Sequence, residues 1–177
     1  LLEAGGSDNY HWIHIPMGYL YCIGNPRTDW MFKTAEELGL NGRSLIYPRG
    51  KVLGGSSSIN SMVYMRGHPR NYDGWAQDFD LPAWRFENCL PYFRAGETSD
   101  RGADAWRGDS GPLQVSKSRH QSPLIDAFLE AGVETGQGQS EDLNGYRPEG
   151  LSRLDATIGN GQRCSAAVAY LKPARGR

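Results

Sequence analysis

The sequence predicts a loop-rich fold of mixed α/β (α+β) class, in which short strands and short helices alternate. Apolar residues make up only 38% of the 177 residues, whereas 23 glycines and 10 prolines are present. Short apolar runs such as Leu113–Val115 are typical of strands, and Ser122 followed by Pro123 is typical of a helix start. This combination favours a structure shaped around a ligand over a helical bundle.

Strand-like and irregular segments alternate in the first part of the chain. Leu1–Ala4 is typical of the end of a buried strand, and Gly5-Gly6 of the turn that follows it. Residues 10–33 mix aromatic residues, Pro and Gly without a period, which predicts an irregular surface connection or a lid. Asn41-Gly42 predicts a turn, because both residues accept positive φ. Leu45–Tyr47 predicts a short strand.

Helices and strands with clearer periods follow in the second part. Helical spacing of apolar residues predicts helices at 69–79, at 86–93 with an interruption at Pro91, from Ser122 to a stop at Gly136, and at 166–171 before Pro173. The apolar stripe of the helix after Ser122 comprises Leu124, Ile125, Phe128, Leu129 and Ala131. Strands are predicted at 113–115 and 151–158, polar loops at 96–111 and 136–150, and either helix or strand at 59–65.

The charge and the cysteines exclude several classes of protein. A formal net charge of −1 gives no electrostatic reason to expect a nucleic-acid partner. No apolar window approaches the length of about 18 residues that a transmembrane segment needs. Cys22, Cys89 and Cys164 form no Cys-x-x-Cys pair, which disfavours a zinc site or a disulfide scaffold and favours a reducing compartment. We therefore expect a cytoplasmic protein, with peripheral attachment to a membrane left open.

The Gly/Ser-rich segment that follows Tyr47 carries the strongest indication of function. Gly50, Gly54 and Gly55 lack Cβ atoms, which lets the backbone approach a bulky ligand and adopt positive φ. A Gly-rich turn that leads into a helix N-terminus offers unpaired N–H groups to an anion, and two basic residues stand beside this one. Apolar and aromatic residues flank the segment, so it predicts a cradle for the phosphates of a nucleotide cofactor in preference to a flexible linker.

Glu3 adds a second and weaker indication. It stands at the end of a buried strand before Gly5, where an acidic residue of a dinucleotide-binding unit accepts hydrogen bonds from ribose hydroxyls. Neither a Gly-x-x-x-x-Gly-Lys-Ser/Thr nor a Gly-x-Gly-x-x-Gly motif occurs, so the Gly-rich turn of such a unit would lie upstream of Leu1. We therefore expect an internal piece of a longer protein.

Glu3–Gly6 and Pro48–Asn60 together resemble the glucose–methanol–choline (GMC) family of FAD oxidoreductases, and within it the choline-dehydrogenase-like alcohol dehydrogenases. The likeness spans nearly the whole chain. It continues through Met65–Gly67, Tyr72–Trp75, Leu90–Phe93, Gly111–Leu113, Asp142–Gly145, Glu149–Gly150, Gly161–Ser165 and Ala169–Pro173. One departure is Pro148, which stands where relatives often have Gln.

The resemblance implies a partial FAD-binding Rossmann-like domain and the start of an antiparallel-sheet substrate domain. Residues 1–79 would form part of the FAD-binding domain with a lid segment at about 10–40, residues 80–160 part of the substrate domain, and residues 161–177 the return to the FAD-binding domain. The implied reaction moves a hydride from the CH–OH group of a small primary or secondary alcohol to FAD, while a His takes the hydroxyl proton.

The resemblance also assigns residues to the cofactor. They are Glu3 at the adenosine ribose, Arg49, Lys51, Val52, Gly54, Gly55 and Ser56 along the cofactor, and Asn60, Ser61, Met62 and Val63 at the flavin end. Some relatives tether the flavin through a His at the position of Ile59; isoleucine has no nucleophilic atom, so we expect non-covalent FAD. No catalytic residue is expected in this chain, because its four histidines, His11, His14, His68 and His120, lie outside the family's catalytic motif.

Two alternatives to an alcohol oxidoreductase stay open. The same fold hosts hydroxynitrile lyases that retain FAD without using it, and a truncated FAD-binding remnant would have no activity. Neither the alcohol nor the electron acceptor follows from the sequence. This chain alone is expected to be inactive, because half of the cofactor wall would be missing and apolar faces would be open to water. Trp75, Trp84, Trp106 and Tyr72 are expected to pack together rather than to bind carbohydrate, and Glu141 and Asp142 to lie in a turn rather than a metal site.

Overall fold

The computed structural model describes residues 1–176, and the contacts among them group into two units. One unit combines Leu1–Met62 with the chain from Ile158 onward, and the other is Val63–Thr157. The helices are α1 (His11–His14), α2 (Tyr19–Cys22), α3 (Pro69–Asp78), α4 (Phe86–Gly96), α5 (Pro123–Glu134) and α6 (Lys172–Ala174). The strands are β1 (Val63–Tyr64), β2 (Glu97–Ser99), β3 (Leu113–Lys117), β4 (Asp155–Ala156), β5 (Ile158–Gly159) and β6 (Gln162–Arg163).

Short helices cover part of the segment for which an irregular surface connection was predicted. α1, a 3₁₀ turn at Pro16–Gly18 and α2 follow one another, and Ile13 and Cys22 are fully buried. They form the core of the first unit with Val52 and Ile59. The prediction is therefore wrong for residues 11–22, because each helix is too short to show a period in the sequence but still buries one apolar side chain.

A two-stranded ribbon follows and ends at the Gly/Ser-rich segment. Its chain segments pair antiparallel through single bridges between Asp29 and Gly50, Lys33 and Ile46, and Glu37 and Arg43. The predicted turn is confirmed, since φ is 55° at Asn41 and 71° at Gly42. The predicted strand at 45–47 is extended but exposed, and it forms one isolated bridge rather than a regular ladder.

The second unit contains a four-stranded sheet in the order β1-β4-β3-β2. β4 pairs antiparallel with β1 and β3, whereas β2 and β3 are parallel. The strand predicted at 113–115 is confirmed and runs to Lys117. The strand predicted at 151–158 is reduced to β4 and β5, and the loop predicted at 96–111 begins with β2.

Aromatic packing fixes the helices of the second unit. α3 is confirmed at its predicted place, and α4 runs through Pro91 without the predicted interruption. Neighbouring rings lie 5.4–6.4 Å apart, centroid to centroid, in a cluster of Tyr72, Trp75, Trp84, Phe86, Phe93 and Trp106. Phe86 and Phe93 anchor α4 on both sides of Pro91, which offsets the backbone hydrogen bond that proline cannot make. The tryptophans therefore pack together, as expected.

The remaining helices depart from the prediction in detail. α5 begins at Pro123 as predicted, and Gly136 follows its end with φ of 77°. Leu129 is buried, but Leu124 and Phe128 of the predicted stripe are 82% and 63% exposed. The last helix does not stop before Pro173, because a π-helix at Ala167–Leu171 passes into α6, where Pro173 lies in the first turn and needs no N–H partner. No helix within residues 1–176 is long and apolar enough to cross a membrane.

Candidate functional site

The Gly/Ser-rich segment lies in the first unit and turns sharply at two adjacent glycines. φ is 91° at Gly54 and 57° at Gly55, so both adopt the left-handed region that other residues avoid. A single 3₁₀ turn, Gly55–Ser58, follows and ends at Ile59. The expected helix N-terminus is therefore absent here, since Asn60–Met62 does not continue into a helix. The segment forms a compact loop instead of the start of a helix.

Three consecutive serines hold this loop in shape. Their hydroxyls all bind backbone groups of the loop or of the segment that packs on it. Ser56 Oγ accepts from the Gly50 N–H (3.1 Å), Ser57 Oγ donates to Gly54 O (2.6 Å) and accepts from the Ala166 N–H (2.9 Å), and Ser58 Oγ donates to Leu53 O (2.8 Å). The serines therefore stabilise the loop conformation, a role that the sequence does not distinguish from ligand binding.

The loop packs so closely that several of its positions exclude a Cβ atom. A Cβ on Gly50 would lie 2.2 Å from Gly55 O, and one on Gly5 would lie 2.1 Å from Lys51 O. The Leu53 N–H donates to Gly6 O over 2.9 Å, and Gly6 forms a parallel bridge with Val52. Leu1–Ala4, predicted as the end of a buried strand, is exposed and forms no strand, so the prediction is wrong there. Gly5-Gly6 and the loop are joined through bare backbone.

Glu3 and Val52 lie at this seam between Gly5-Gly6 and Lys51–Leu53, and they differ in exposure. Glu3 is exposed, and its Oε1 accepts the Gly5 N–H over 2.7 Å, which orients the carboxylate beside Gly5. Val52 is 1% exposed and packs in the core of the unit. Val52 therefore helps to fix the loop on the core of the unit.

The two cations of the predicted cradle rest on aromatic rings. The Arg49 guanidinium lies 3.8 Å from the Tyr47 ring centroid, and its Nη1 donates to Pro48 O over 2.7 Å. The Lys51 ammonium lies 4.8 Å from the Trp30 ring centroid. Cation–π contacts hold both positive charges close to the loop without neutralising them.

Asp29, which sequence reasoning missed, connects the ribbon to the loop. Its carboxylate is buried and accepts backbone N–H groups of Gly24 (2.9 Å), Met31 (3.1 Å) and Arg49 (3.1 Å). Burial opposes ionisation, but the backbone donors outweigh it and hold the pKa of Asp29 below its usual value. No sequence motif marks Asp29. Its backbone partners are evident only from the paired ribbon of the folded chain.

Asp29→Asn is expected to lower stability at neutral pH and to make no difference in acid. A depressed pKa stabilises the fold above the unfolded-state pKa of about 3.9, and this stabilisation is lost as the pH falls through the folded-state pKa. Thermal melting of parent and variant at neutral pH and at successively lower pH measures the difference. A gap in melting temperature that stays constant down to the acid limit would contradict this prediction.

The segment predicted at the flavin end is divided between exposed and buried positions. Asn60 Oδ1 accepts the Met62 N–H over 3.0 Å, Ser61 is exposed, and Met62 is buried with φ of 64°. Ile59 is 2% exposed. Val63 is exposed and belongs to the second unit, as the first residue of β1.

Arg163 is a second residue that sequence reasoning missed. It lies in β6, is 2% exposed, and donates to the Asn60 side chain and to the loop carbonyl of Ser57. Its only sign in the sequence is its place inside Gly161–Ser165, one of the segments that carry the family likeness. Its contacts join residues that are far apart along the chain.

The histidines make structural contacts outside the loop. His14 Nε2 is 2.7 Å from Asp8 O, and His11 and His120 are exposed. His68 precedes α3, accepts the Arg70 N–H at Nδ1 over 3.1 Å, and lies 3.2 Å from a carboxylate oxygen of Glu149. These contacts place His68 as a helix cap.

The second unit contains a buried ionic cluster that was not predicted from the sequence. Arg107 and Glu97 are both fully buried, and Arg107 binds Glu97 (3.3 Å), Asp142 (2.9 Å) and Asp155. Two further arginines belong to this cluster. Arg66 lies 2.9 Å from Glu97, and Arg101 lies 3.0 Å from Asp155. Asp142 also accepts the Asn144 N–H over 2.8 Å, in the turn expected for it. Within residues 1–176, no group of three or more His, Cys, Asp or Glu side chains is arranged to hold a metal ion.

Comparison with known proteins identifies the family of this chain. A family model described as GMC oxidoreductase matches residues 1–177. Oxygen-dependent choline dehydrogenases from Staphylococcus xylosus and Brucella anthropi are 43% identical over 182 residues and 46% identical over 174 residues, respectively. These matches cover 100% and 98% of this chain but 32% of each relative. The chain thus spans about a third of the length of the curated relatives that it matches.

Solved structures share the fold. The crystal structure of pyridoxine 4-oxidase from Mesorbium loti has a TM-score of 0.91 at 34% identity, covering 99% of this chain and 35% of that chain. A formate oxidase from Aspergillus oryzae, studied for modification of its FAD, has a TM-score of 0.82 at 26% identity and covers 95% of this chain and 31% of that chain. The mixed helices and sheets of both units therefore belong to a fold found in FAD-dependent enzymes.

Proposed function

This chain belongs to the GMC oxidoreductase family, and on that premise we propose that it forms part of the FAD-binding wall of an enzyme that oxidises a CH–OH group of a small alcohol. The observation that carries the proposal is the bare-backbone seam between Gly5-Gly6 and Lys51–Leu53, together with the sharp turn at Gly54-Gly55 that follows it. A Cβ on Gly6 or on Gly55 would meet nothing within 4 Å, so a ligand has room to approach the backbone there. Arg49 beside the loop favours an anionic ligand.

We propose that the residues predicted for the cofactor contact different parts of it. Glu3 accepts from the ribose hydroxyls, and the backbone of the loop lies along the diphosphate. The residues along the diphosphate are Arg49, Lys51, Val52, Gly54, Gly55 and Ser56, and those at the flavin end are Asn60, Ser61, Met62 and Val63. FAD supplies the acceptor for the hydride when it is bound, and this chain's residues orient it and exclude water.

The proposed domains follow the two contact units. We assign Leu1–Met62 and the chain from Ile158 onward to the FAD-binding domain, because the seam, the loop and Arg163 all belong to that unit. Val63–Thr157 is assigned to the substrate domain. These limits replace residues 79 and 160, which rested on sequence segments alone. His14 and His68 are not assigned as the proton acceptor for the alcohol, because each makes a structural contact with backbone.

The FAD of this protein is expected to be non-covalent. Ile59 is buried and presents only carbon atoms, so it offers no nucleophile at the position where some relatives attach the flavin through His. Acid precipitation of the natural-length protein is therefore expected to release all flavin into the supernatant. Flavin absorbance that stays with the precipitated protein would contradict this prediction.

Anaerobic addition of an alcohol to the natural-length protein tests the proposed reaction. The expected result is loss of the visible absorbance of oxidised flavin with at least one small primary or secondary alcohol. Choline is the first to try, since the relatives at 43% and 46% identity are named choline dehydrogenases. A stable flavin spectrum with cyanohydrin cleavage would favour a lyase, and a colourless protein would favour a non-catalytic remnant. Reoxidation by air or only by an added quinone then identifies the electron acceptor.

A further inference from the structure

Arg163 connects three separate segments of the first unit. Its Nε donates to Ile13 O in α1 over 2.8 Å, and its Nη1 donates to Ser57 O over 3.1 Å and to Asn60 Oδ1 over 2.8 Å. Two of these acceptors lie in the loop proposed to hold the cofactor. The guanidinium therefore ties this loop to the helix on which it packs.

The positive charge of Arg163 lacks a carboxylate partner among residues 1–176. No Asp or Glu in that part of the chain pairs with it, and its buried Nη2 has no hydrogen-bond acceptor there. Burial lowers the pKa of Arg163 to about 10, an effect that the nearby Cys22 opposes, so the side chain is still cationic at neutral pH. Arg107 in the second unit is equally buried but meets three carboxylates.

A buried cation without a counter-ion is unfavourable, and its persistence needs a compensating anion. We infer that Arg163 is a positioning residue for the cofactor loop and that its buried charge is neutralised by an anionic group of the bound cofactor. This inference rests on the proposed function. The anionic group is either the diphosphate or the flavin ring, whose carbonyl oxygens carry partial negative charge and which becomes anionic on reduction; both would act on the same guanidinium.

Substitutions of Arg163 in the natural-length protein separate the effect of its charge from that of its shape. The measurement is the affinity of each apoprotein for FAD, obtained by titration. Arg163→Gln removes the charge and is expected to weaken FAD binding by about 30-fold or more. Arg163→Lys keeps the charge with fewer donors and is expected to weaken binding by about 10-fold or less. Arg101→Gln, a control in the second unit where Arg101 binds Asp155, is expected to leave FAD affinity unchanged. Equal losses in the Gln and Lys variants, or an unchanged affinity in the Gln variant, would overturn the inference.

Asn60→Asp gives a second test that leaves Arg163 in place. The new carboxylate would stand where Asn60 Oδ1 now lies, 2.8 Å from Nη1, and would supply the missing counter-ion. The apoprotein is then expected to melt at a higher temperature than the parent, while its affinity for FAD falls. A variant that melts no higher than the parent, or that binds FAD as tightly as the parent, would contradict the inference. This variant serves even if Arg163→Gln fails to fold.

Riboflavin distinguishes the two anionic groups. If the diphosphate is the partner, Arg163→Gln lowers affinity for FAD but not for riboflavin; if the flavin ring is the partner, affinity for both falls and the midpoint potential of the bound flavin becomes more negative. Either result supports the inference. A parent protein that binds no FAD at all would refute the proposed function itself, whereas normal FAD binding by parent and Arg163→Gln alike would refute only the role of Arg163.

Discussion

Arg107→Met is expected to lower the free energy of unfolding by about 3–5 kcal/mol, because it leaves buried carboxylates without their shared cation. Arg107 and Glu97 are both fully buried, and the Arg107 guanidinium contacts Glu97, Asp142 and Asp155. Methionine fills a similar volume but supplies no donor and no charge. Urea denaturation of the natural-length protein measures the loss.

Arg85→Met is the matched control for this substitution. Arg85 pairs with Glu87 over 3.8 Å, but its side chain is 62% exposed, so water screens the pair. Its loss is expected to change the free energy of unfolding by less than about 0.5 kcal/mol. Similar destabilisation by both substitutions would show that burial of the ionic cluster does not set its contribution.

Gly54→Ala is expected to disrupt the loop and with it the proposed FAD site. At φ of 91° an alanine is strained, and its Cβ would lie 2.4 Å from Ser58 Oγ and 3.1 Å from Ala167 Cβ. Left-handed strain and overpacking together are expected to cost about 2–4 kcal/mol. The measurements are the melting temperature of the apoprotein and the dissociation constant for FAD, which is expected to rise by at least about 10-fold.

Gly55→Ala separates backbone strain from lack of space. φ at Gly55 is 57°, so alanine is again in the left-handed region, but its Cβ would meet nothing within 4 Å of the protein. The loss of stability is expected to be only about 1 kcal/mol. FAD affinity is nevertheless expected to fall if the bare face of Gly55 lies against the cofactor, which makes this variant a test of the proposed ligand position. Equal losses of stability in Gly54→Ala and Gly55→Ala would contradict the tight packing of Gly54.

Much of the local structure could be predicted, because its causes lie within a few residues. The turn at Asn41-Gly42, the start of α5 at Pro123 and the sharp bend at Gly54-Gly55 all follow from residue types that favour particular backbone angles. Errors arose where packing overrode local preference. α4 continues through Pro91 because aromatic rings anchor both of its ends, and residues 11–22 form helices too short to show a period.

The family likeness, the glycine positions that leave the loop backbone bare and the absence of a nucleophile at Ile59 were all determined by the sequence itself, because each depends on which atoms a residue has. The tertiary structure alone decided which charges are buried together. Arg107 and Asp155 are 48 residues apart, and Arg163 and Ile13 are 150 apart. Such pairings depend on how the chain returns to the same unit, and the free energy of a buried charge depends on every group around it. The Gly/Ser loop was thus visible from its composition, whereas the arginine that holds it emerged only from the fold.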